Sequence, residues 1–234
     1  MTRAVVLGAR NLGGAIAGHL HDAGWTVAAV ARSDNSLAGV RSRGIEGVNA
    51  DAADPDALRG VLEAGGGADL VVNAVSAARP TGGPWGGGPL AEATPDAYEA
   101  WTGAVSRQAF TFLSVGASVL RAQGRGGTLI LVTGGSARRA MPGRGPWAAG
   151  AAATRALAHA AAQELREEAI HVALLVVDAT IASPKTAERT RDVPADALAD
   201  QEEIARAVAY LALQQPSAYT HELVVTPAGD RWVP

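Results

Sequence analysis

Cysteine is absent from the 234 residues. That excludes disulfides, thiolate nucleophiles and Cys-ligated zinc. No apolar run in the chain approaches the roughly 18 residues of a membrane-spanning helix, so no span is expected. Basic blocks are missing too, and the net charge is −3. Both argue against nucleic acid or an anionic membrane surface as a main partner. His19, His21, His159, His171 and His221 show no metal-ligand spacing, so no metal site is expected. The first apolar run starts within a few residues of Met1, which leaves no room for a secretory leader. A cytoplasmic protein is the expectation. What is present is apolar: hydrophobic residues make up 48%, enough for the core of a single domain over residues 1–234.

Short apolar runs alternate with amphipathic segments along the whole chain. Strands are expected at 4–7, 26–31, 47–50, 69–75, 128–133, 172–177 and 223–226, and helices at 14–23, 54–63, 94–122, 147–168 and 201–214. Strands buried on both faces read as continuous apolar runs, and helices between them imply parallel crossovers. The expected fold is therefore α/β, Rossmann-like and doubly wound: a seven-stranded parallel sheet with helices on both faces. Its ligand crevice lies at the strand C-termini. One low-complexity piece, RPTGGPWGGGP at 79–89, follows the fourth strand and reads as a mobile surface loop.

VVLGARNLGG, at 5–14, runs an apolar strand into Gly8, a polar turn and the start of a helix. Free N–H groups and the positive end of a helix dipole at such a turn suit a diphosphate. Gly8, Arg10, Asn11, Leu12 and Gly13 are the candidate contacts. The match to G-x-G-x-x-G is imperfect, because Arg10 takes the second glycine slot. At the end of the second strand stand Arg32 and Ser33, in the position that faces an adenosine ribose. An acidic residue there would bond the 2′-hydroxyl, whereas Arg32 and Ser33, with Arg10 nearby, suit a 2′-phosphate. NADP(H) is therefore expected over NAD(H). Asp51 is placed to accept from an adenine amino group, and Asn73 and Ala74 lie where the cofactor would cross.

These motifs, in this order, resemble the short-chain dehydrogenase/reductase superfamily, and the resemblance covers nearly the whole chain. ARSD (31–34), VVNAVS (71–76), LILVTGG (129–135), WAAGAAATRALAHAAAQEL (147–165), AIHVALLVV (169–177), QEEIARAVAYLA (201–212) and YTHELVV (219–225) each fall where that superfamily has an element. The resemblance implies a nicotinamide cofactor and a homodimer or homotetramer packed through the two long helices.

It also implies four catalytic positions, and all four differ here. Gly134 stands where the superfamily has Ser, Trp147 where it has Tyr, Ala151 where it has Lys and Ser106 near its Asn. In that chemistry a Tyr hydroxyl exchanges a proton with the carbonyl oxygen while hydride moves, and the Lys lowers the Tyr pKa from about 10. Indole N–H is a donor only, so Trp147 cannot take over. Losing a placed acid/base slows a reaction by about 10²–10⁴-fold.

Ser76, Thr133, Ser136, Arg138, Arg139, Arg144 and Asp178 remain as polar residues near the strand ends. Ser136 and Asp178 are the candidate catalytic groups, and Arg138 with Arg139 reads as a solvated loop pair. Three readings follow. The first is an NADP(H)-dependent oxidoreductase acting on an iminium or activated C=C, which needs no Tyr proton. The second is a redox-neutral cyclase, isomerase or dehydratase. The third is an inactive protein that binds cofactor or a partner.

Overall fold

The computed structural model describes residues 2–76 and 80–230; Arg79, the first residue of the glycine/proline loop, lies outside them. Along the chain run β1 (Arg3–Leu7), α1 (Leu12–Asp22), β2 (Thr26–Ala31), α2 (Asp34–Arg41), β3 (Glu46–Asn49), α3 (Pro55–Glu63) and β4 (Leu70–Asn73). Then come α4 (Pro95–Gln123), β5 (Gly127–Gly134), α5 (Gly145–Leu165), β6 (Ile170–Val177), β7 (Thr180–Ile181), β8 (Leu198–Ala199), α6 (Gln201–Ala212) and β9 (Glu222–Val225). The main sheet has seven strands in the order β3-β2-β1-β4-β5-β6-β9, all pairings parallel. Strand order reverses between β1 and β4, so the crevice opens beyond their C-terminal ends.

Side-chain alternation along each strand splits the core in two. Val5, Leu7, Val71, Leu129, Leu131, Val172 and Leu174 pack with Leu58, Leu62, Phe112, Leu120 and Leu165, from α3, α4 and α5. Ala4, Val6, Leu70, Val72, Ile130, Ala173 and Leu175 face Ile16, Leu20, Leu37, Ile204 and Leu211, from α1, α2 and α6. Each such aliphatic side chain, fully buried, contributes about 1.5–3 kcal/mol.

Three helices start on a side-chain cap. Asp54 accepts from the N–H groups of Asp56 and Ala57 ahead of α3, and Thr94 accepts from Ala97 ahead of α4. Asp200 does the same for α6 through Glu202 and Glu203. These caps satisfy N–H groups that a helix leaves orphaned in its first turn. In contrast, α1 has no side-chain cap and no acidic residue in its first turn. It is the helix that follows the glycine turn.

All seven expected main-sheet strands are present, with shifted ends. β4 stops at Asn73, not residue 75; the Ala74 N–H to Leu7 carbonyl bond is the last rung of its ladder with β1. α2 was not expected: only Leu37 and Val40 are buried in it, too few to show a helical period. The β7–β8 pair, two residues each, was also unforeseen. α5 begins at Gly145, so Trp147 sits in its first turn, beside Pro146. The expectation of a surface loop at 79–89 fails in its second half. Residues 81–84 are exposed, but Gly86, Gly87 and Gly88 are buried, and Gly88 bridges to Arg144. A Cβ on Gly87 would lie 2.5 Å from the Pro146 ring, so the backbone packs directly against the start of α5.

Candidate functional site

The glycine turn is held from both sides. Gly8 N–H donates to the Val30 carbonyl at 2.9 Å, and Ala74 N–H donates to the Leu7 carbonyl at 2.9 Å. Gly8 has φ +98°, and a Cβ there would press on the Ala74 carbonyl at 3.1 Å. At Gly13 a Cβ would sit 2.1 Å from the Gly8 carbonyl oxygen, so only glycine lets the first turn of α1 close on β1. Asn11 takes φ 47°, ψ −123°, a backbone conformation that glycine adopts far more readily.

A cavity of about 740 Å³ opens on this turn. Gly8, Arg10 and Asn11 form its floor, Arg32 and Ser33 one end, Asp51 and Ala52 another, and Ala74 and Ser76 the β4 side. The opposite wall is α4, through Glu99, Gly103, Arg107 and Thr111. The structure thus brings Gly8, Arg10, Asn11, Arg32, Ser33, Asp51 and Ala74 together. Leu12 and Gly13 are buried beneath the turn and shape it. Asn73 is buried and turned inward: its Oδ1 accepts from Val75 N at 3.2 Å and from Gln108 Nε2 at 3.4 Å, tying β4 to α4. The carboxylate nearest to Arg32 in sequence, Asp34, is engaged by Arg41 at 2.8 Å and is not a wall of the cavity. Asp51 accepts from Ala53 N at 3.0 Å.

Among the described residues, Arg10, Arg32, Arg107 and Lys185 line the cavity with no hydrogen bond or ion pair on their side chains. Four cations against Glu99 and Asp51 give this cavity a positive balance inside an acidic chain. Neither Arg107 nor Lys185 belongs to a motif that marks it in the sequence. The signal for Arg107 was its spacing: 99/100, 103/104, 107/108 and 111 recur at helical spacing as polar or small residues on one face of α4.

The β5–β6 end of the crevice is built otherwise. Asp178, 6% exposed, receives a two-pronged hydrogen bond from Arg139, both distances 3.0 Å. Its carboxylate lies where a Cβ of Gly135 would be, so Gly135 makes the room for the pair. Its hydrogen bonds to the Asp178 carboxylate raise the Arg139 pKa above its ordinary value, and the guanidinium stays charged. Arg138 faces Glu222 at 3.6 Å, so the expected solvated arginine pair is instead two internal ion pairs. Ser136 lies half-buried in a short turn at Gly135–Ala137. Neither Ser136 nor Asp178 lines the cavity.

Trp147, from α5, packs on Trp85 of the loop and Trp101 of α4, with ring centroids 5.4 and 5.8 Å away; Trp85 and Trp101 lie 5.9 Å apart. The Arg144 guanidinium caps the group, 4.3 Å from the Trp85 ring centre. Four residues on, Ala151 is buried. Gly134 ends β5, and the Ser106 hydroxyl donates back to the Thr102 carbonyl at 2.8 Å. No tyrosine lines the cavity: Tyr98 and Tyr210 are exposed, and Tyr219 is stacked on His171 at 4.1 Å. No group of three or more His, Cys, Asp or Glu able to hold a metal occurs among the described residues. Nor is any helix among them long and apolar enough to cross a membrane.

A doubly wound parallel sheet with a glycine cradle at its switch point defines a dinucleotide-binding class of protein. Residues 6–229 match the family model described as enoyl-(acyl carrier protein) reductase, and the chain belongs to the short-chain dehydrogenase/reductase superfamily, a family of oxidoreductases. Among solved structures it is similar to a metagenomic short-chain oxidoreductase in complex with NADP, at 26% identity and a TM-score of 0.72, over 97% of both chains. An NADPH-bound short-chain oxidoreductase of Pseudomonas aeruginosa PAO1, said to contain an atypical catalytic center, shares the fold at 21% identity. Its TM-score is 0.81, over 99% of this chain and 98% of that one. Acetoin dehydrogenase from Enterobacter cloacae shares it at 20% identity and a TM-score of 0.79, over 100% and 98%. No curated protein sequence matches.

Proposed function

We propose that the protein is an NADP(H)-dependent oxidoreductase with a non-standard site, reducing a substrate that needs no Tyr proton: an iminium or an activated C=C. One observation carries this reading. The cavity joins an uncapped helix start and a glycine cradle to Arg10 and Arg32, while Trp147 and Ala151 stand where the superfamily's Tyr and Lys would be.

The cradle fits the cofactor. With no side chain at Gly13 and no cap on α1, first-turn N–H groups remain for a diphosphate. Arg10, Arg32 and Ser33 would hold a 2′-phosphate, and Asp51 an adenine amino group. When bound, the cofactor supplies hydride. The chain's own part is to orient it and exclude water. An iminium is already protonated and needs no acid at its nitrogen; an activated C=C takes its proton at carbon from solvent, because Ser136 does not line the cavity. Asp178 would carry a proton only once Arg139 let go of it. None of Trp85, Trp101 and Trp147 lines the cavity, and the Trp85 face is already taken by Arg144, so the group closes this end of the crevice rather than walling a cation site.

NADPH fluorescence titration tests the reading. Arg32→Ala is expected to weaken NADPH by about 10-fold and leave NADH unchanged, the effect of a charge-assisted hydrogen bond to phosphate. Turnover of a cyclic imine or an activated enone should follow. No NADPH binding at millimolar concentration overturns the proposal. Tight binding without turnover favours the third reading, a cofactor-binding protein, for which the Arg139–Asp178 lock is the supporting observation. A homodimer or homotetramer through α4 and α5 goes with the proposal. Exposed Phe110 on α4 and exposed Ala152, Ala156 and Ala160 on α5 support it.

A further inference from the structure

We propose that Arg107 and Lys185 form a second anion-binding site, which receives a carboxylate or phosphate group of the substrate. The inference rests on the reading above to the extent that Arg10 and Arg32 are taken by the cofactor's phosphates. Arg107 and Lys185 line the same cavity from other elements, α4 and the segment between β7 and β8, and have no partner among the described residues.

Both are set on fixed backbone. Arg107 stands on α4 one turn after Gly103, and both line the cavity. Lys185 sits on a turn pinned by Thr186, whose Oγ1 donates to the Ile181 carbonyl at 2.7 Å and accepts from Ser183 N at 3.0 Å. Gln201 Nε2 donates to the Ala182 carbonyl at 2.6 Å, fixing the same segment from α6. Lys185 is also the only lysine of the chain. A guanidinium offers a planar fork and an ammonium a point charge, and together they match a carboxylate or phosphate. The other arginines near the strand ends are committed: Arg138 to Glu222, Arg139 to Asp178 and Arg144 to Trp85. Glu99, two turns before Arg107 on the same face of α4, favours approach of the anionic group from the Arg107 end.

The lone lysine makes the test direct. Amine acylation of the full chain modifies only Lys185 and the α-amino group, and peptide mass spectrometry reads each rate. With NADP⁺ saturating, added inorganic phosphate or succinate is expected to slow Lys185 acylation by about fivefold, the range of a partly exposed charge pair, and Arg107→Met to abolish that protection. The α-amino group should acylate at an unchanged rate. NADP⁺ affinity should stay within about twofold in Arg107→Met and Lys185→Met. Full protection by NADP⁺ alone, with weakened NADP⁺ binding in both variants, would assign the pair to the cofactor and overturn the proposal. No protection by either probe would overturn it as well. If NADP⁺ fails to bind, the same probes on the ligand-free chain still decide this inference, while the proposed function falls.

Discussion

Where β1, β2 and β3 end, cations without partners line an open cavity; where β5 and β6 end, Arg138, Arg139 and Arg144 each already have one. The first region follows the logic of a binding site. It has a glycine turn closed to a Cβ, an uncapped helix and four cations that make no side-chain ion pair among the described residues. The second follows the logic of a core, with three packed indoles and a buried bidentate ion pair. In a doubly wound fold both regions share one crevice, so the contrast separates holding a ligand from acting on it. Among the described residues, the first region leaves its cations unpaired, while the second pairs them.

The contrast breaks most sharply at Trp101, which is 4% exposed and touches both other indoles. Trp101→Ala is expected to destabilise the fold by about 3–5 kcal/mol in urea unfolding. Trp101 does not itself line the cavity, so the same variant should keep NADPH affinity within about threefold. Loss of binding along with stability would show that the two halves are one unit.

Gly13→Ala is the converse. Its Cβ would meet a backbone carbonyl, which cannot swing away, so an overpacking penalty of about 1–3 kcal/mol is expected. NADPH binding should fall below detection because the cradle cannot close. Retained affinity would refute the role given to this turn.

The smallest effect lies outside both regions. His171 is buried in β6 beneath Tyr219, and burial holds its pKa below the ordinary value, with the Thr220 carbonyl opposing the shift and nearby His221 adding to it. The folded state therefore keeps His171 neutral while the unfolded chain takes up a proton as pH falls through about 6.5. Stability is fully present above that value and is lost as pH drops toward the lower folded pKa. His171→Phe should flatten this part of the unfolding-midpoint profile between pH 7 and 5. An unchanged slope would place the acid sensitivity elsewhere.

The central strands were legible because each carries a continuous aliphatic run buried on both faces; the edge strands β3 and β9 are short and only partly buried. The cradle was legible because Gly8 and Gly13 follow such a run at a spacing that few other structures demand. α2 was hidden because DNSLAGVR offers only two apolar contacts. The closed end was hidden for a different reason. Trp85, Trp101 and Trp147 are far apart in sequence, and so are Arg139 and Asp178, so nothing local says that they meet. An arginine pair read as solvated, and a glycine-rich stretch read as a loop, owe their actual places to those distant partners.

Three of the five tryptophans stand in one cluster, and a fourth, Trp25, lies on the other side of the sheet with α1 and α2. The molecule is therefore optically asymmetric. Indoles at centroid distances of 5.4–5.9 Å exchange excitation readily, so ultraviolet emission is weighted toward whatever happens at the filled end. Reduced nicotinamide emits at longer wavelength. If NADPH binds as proposed, a single stopped-flow trace recorded in both channels would time cofactor binding against events at the indole cluster.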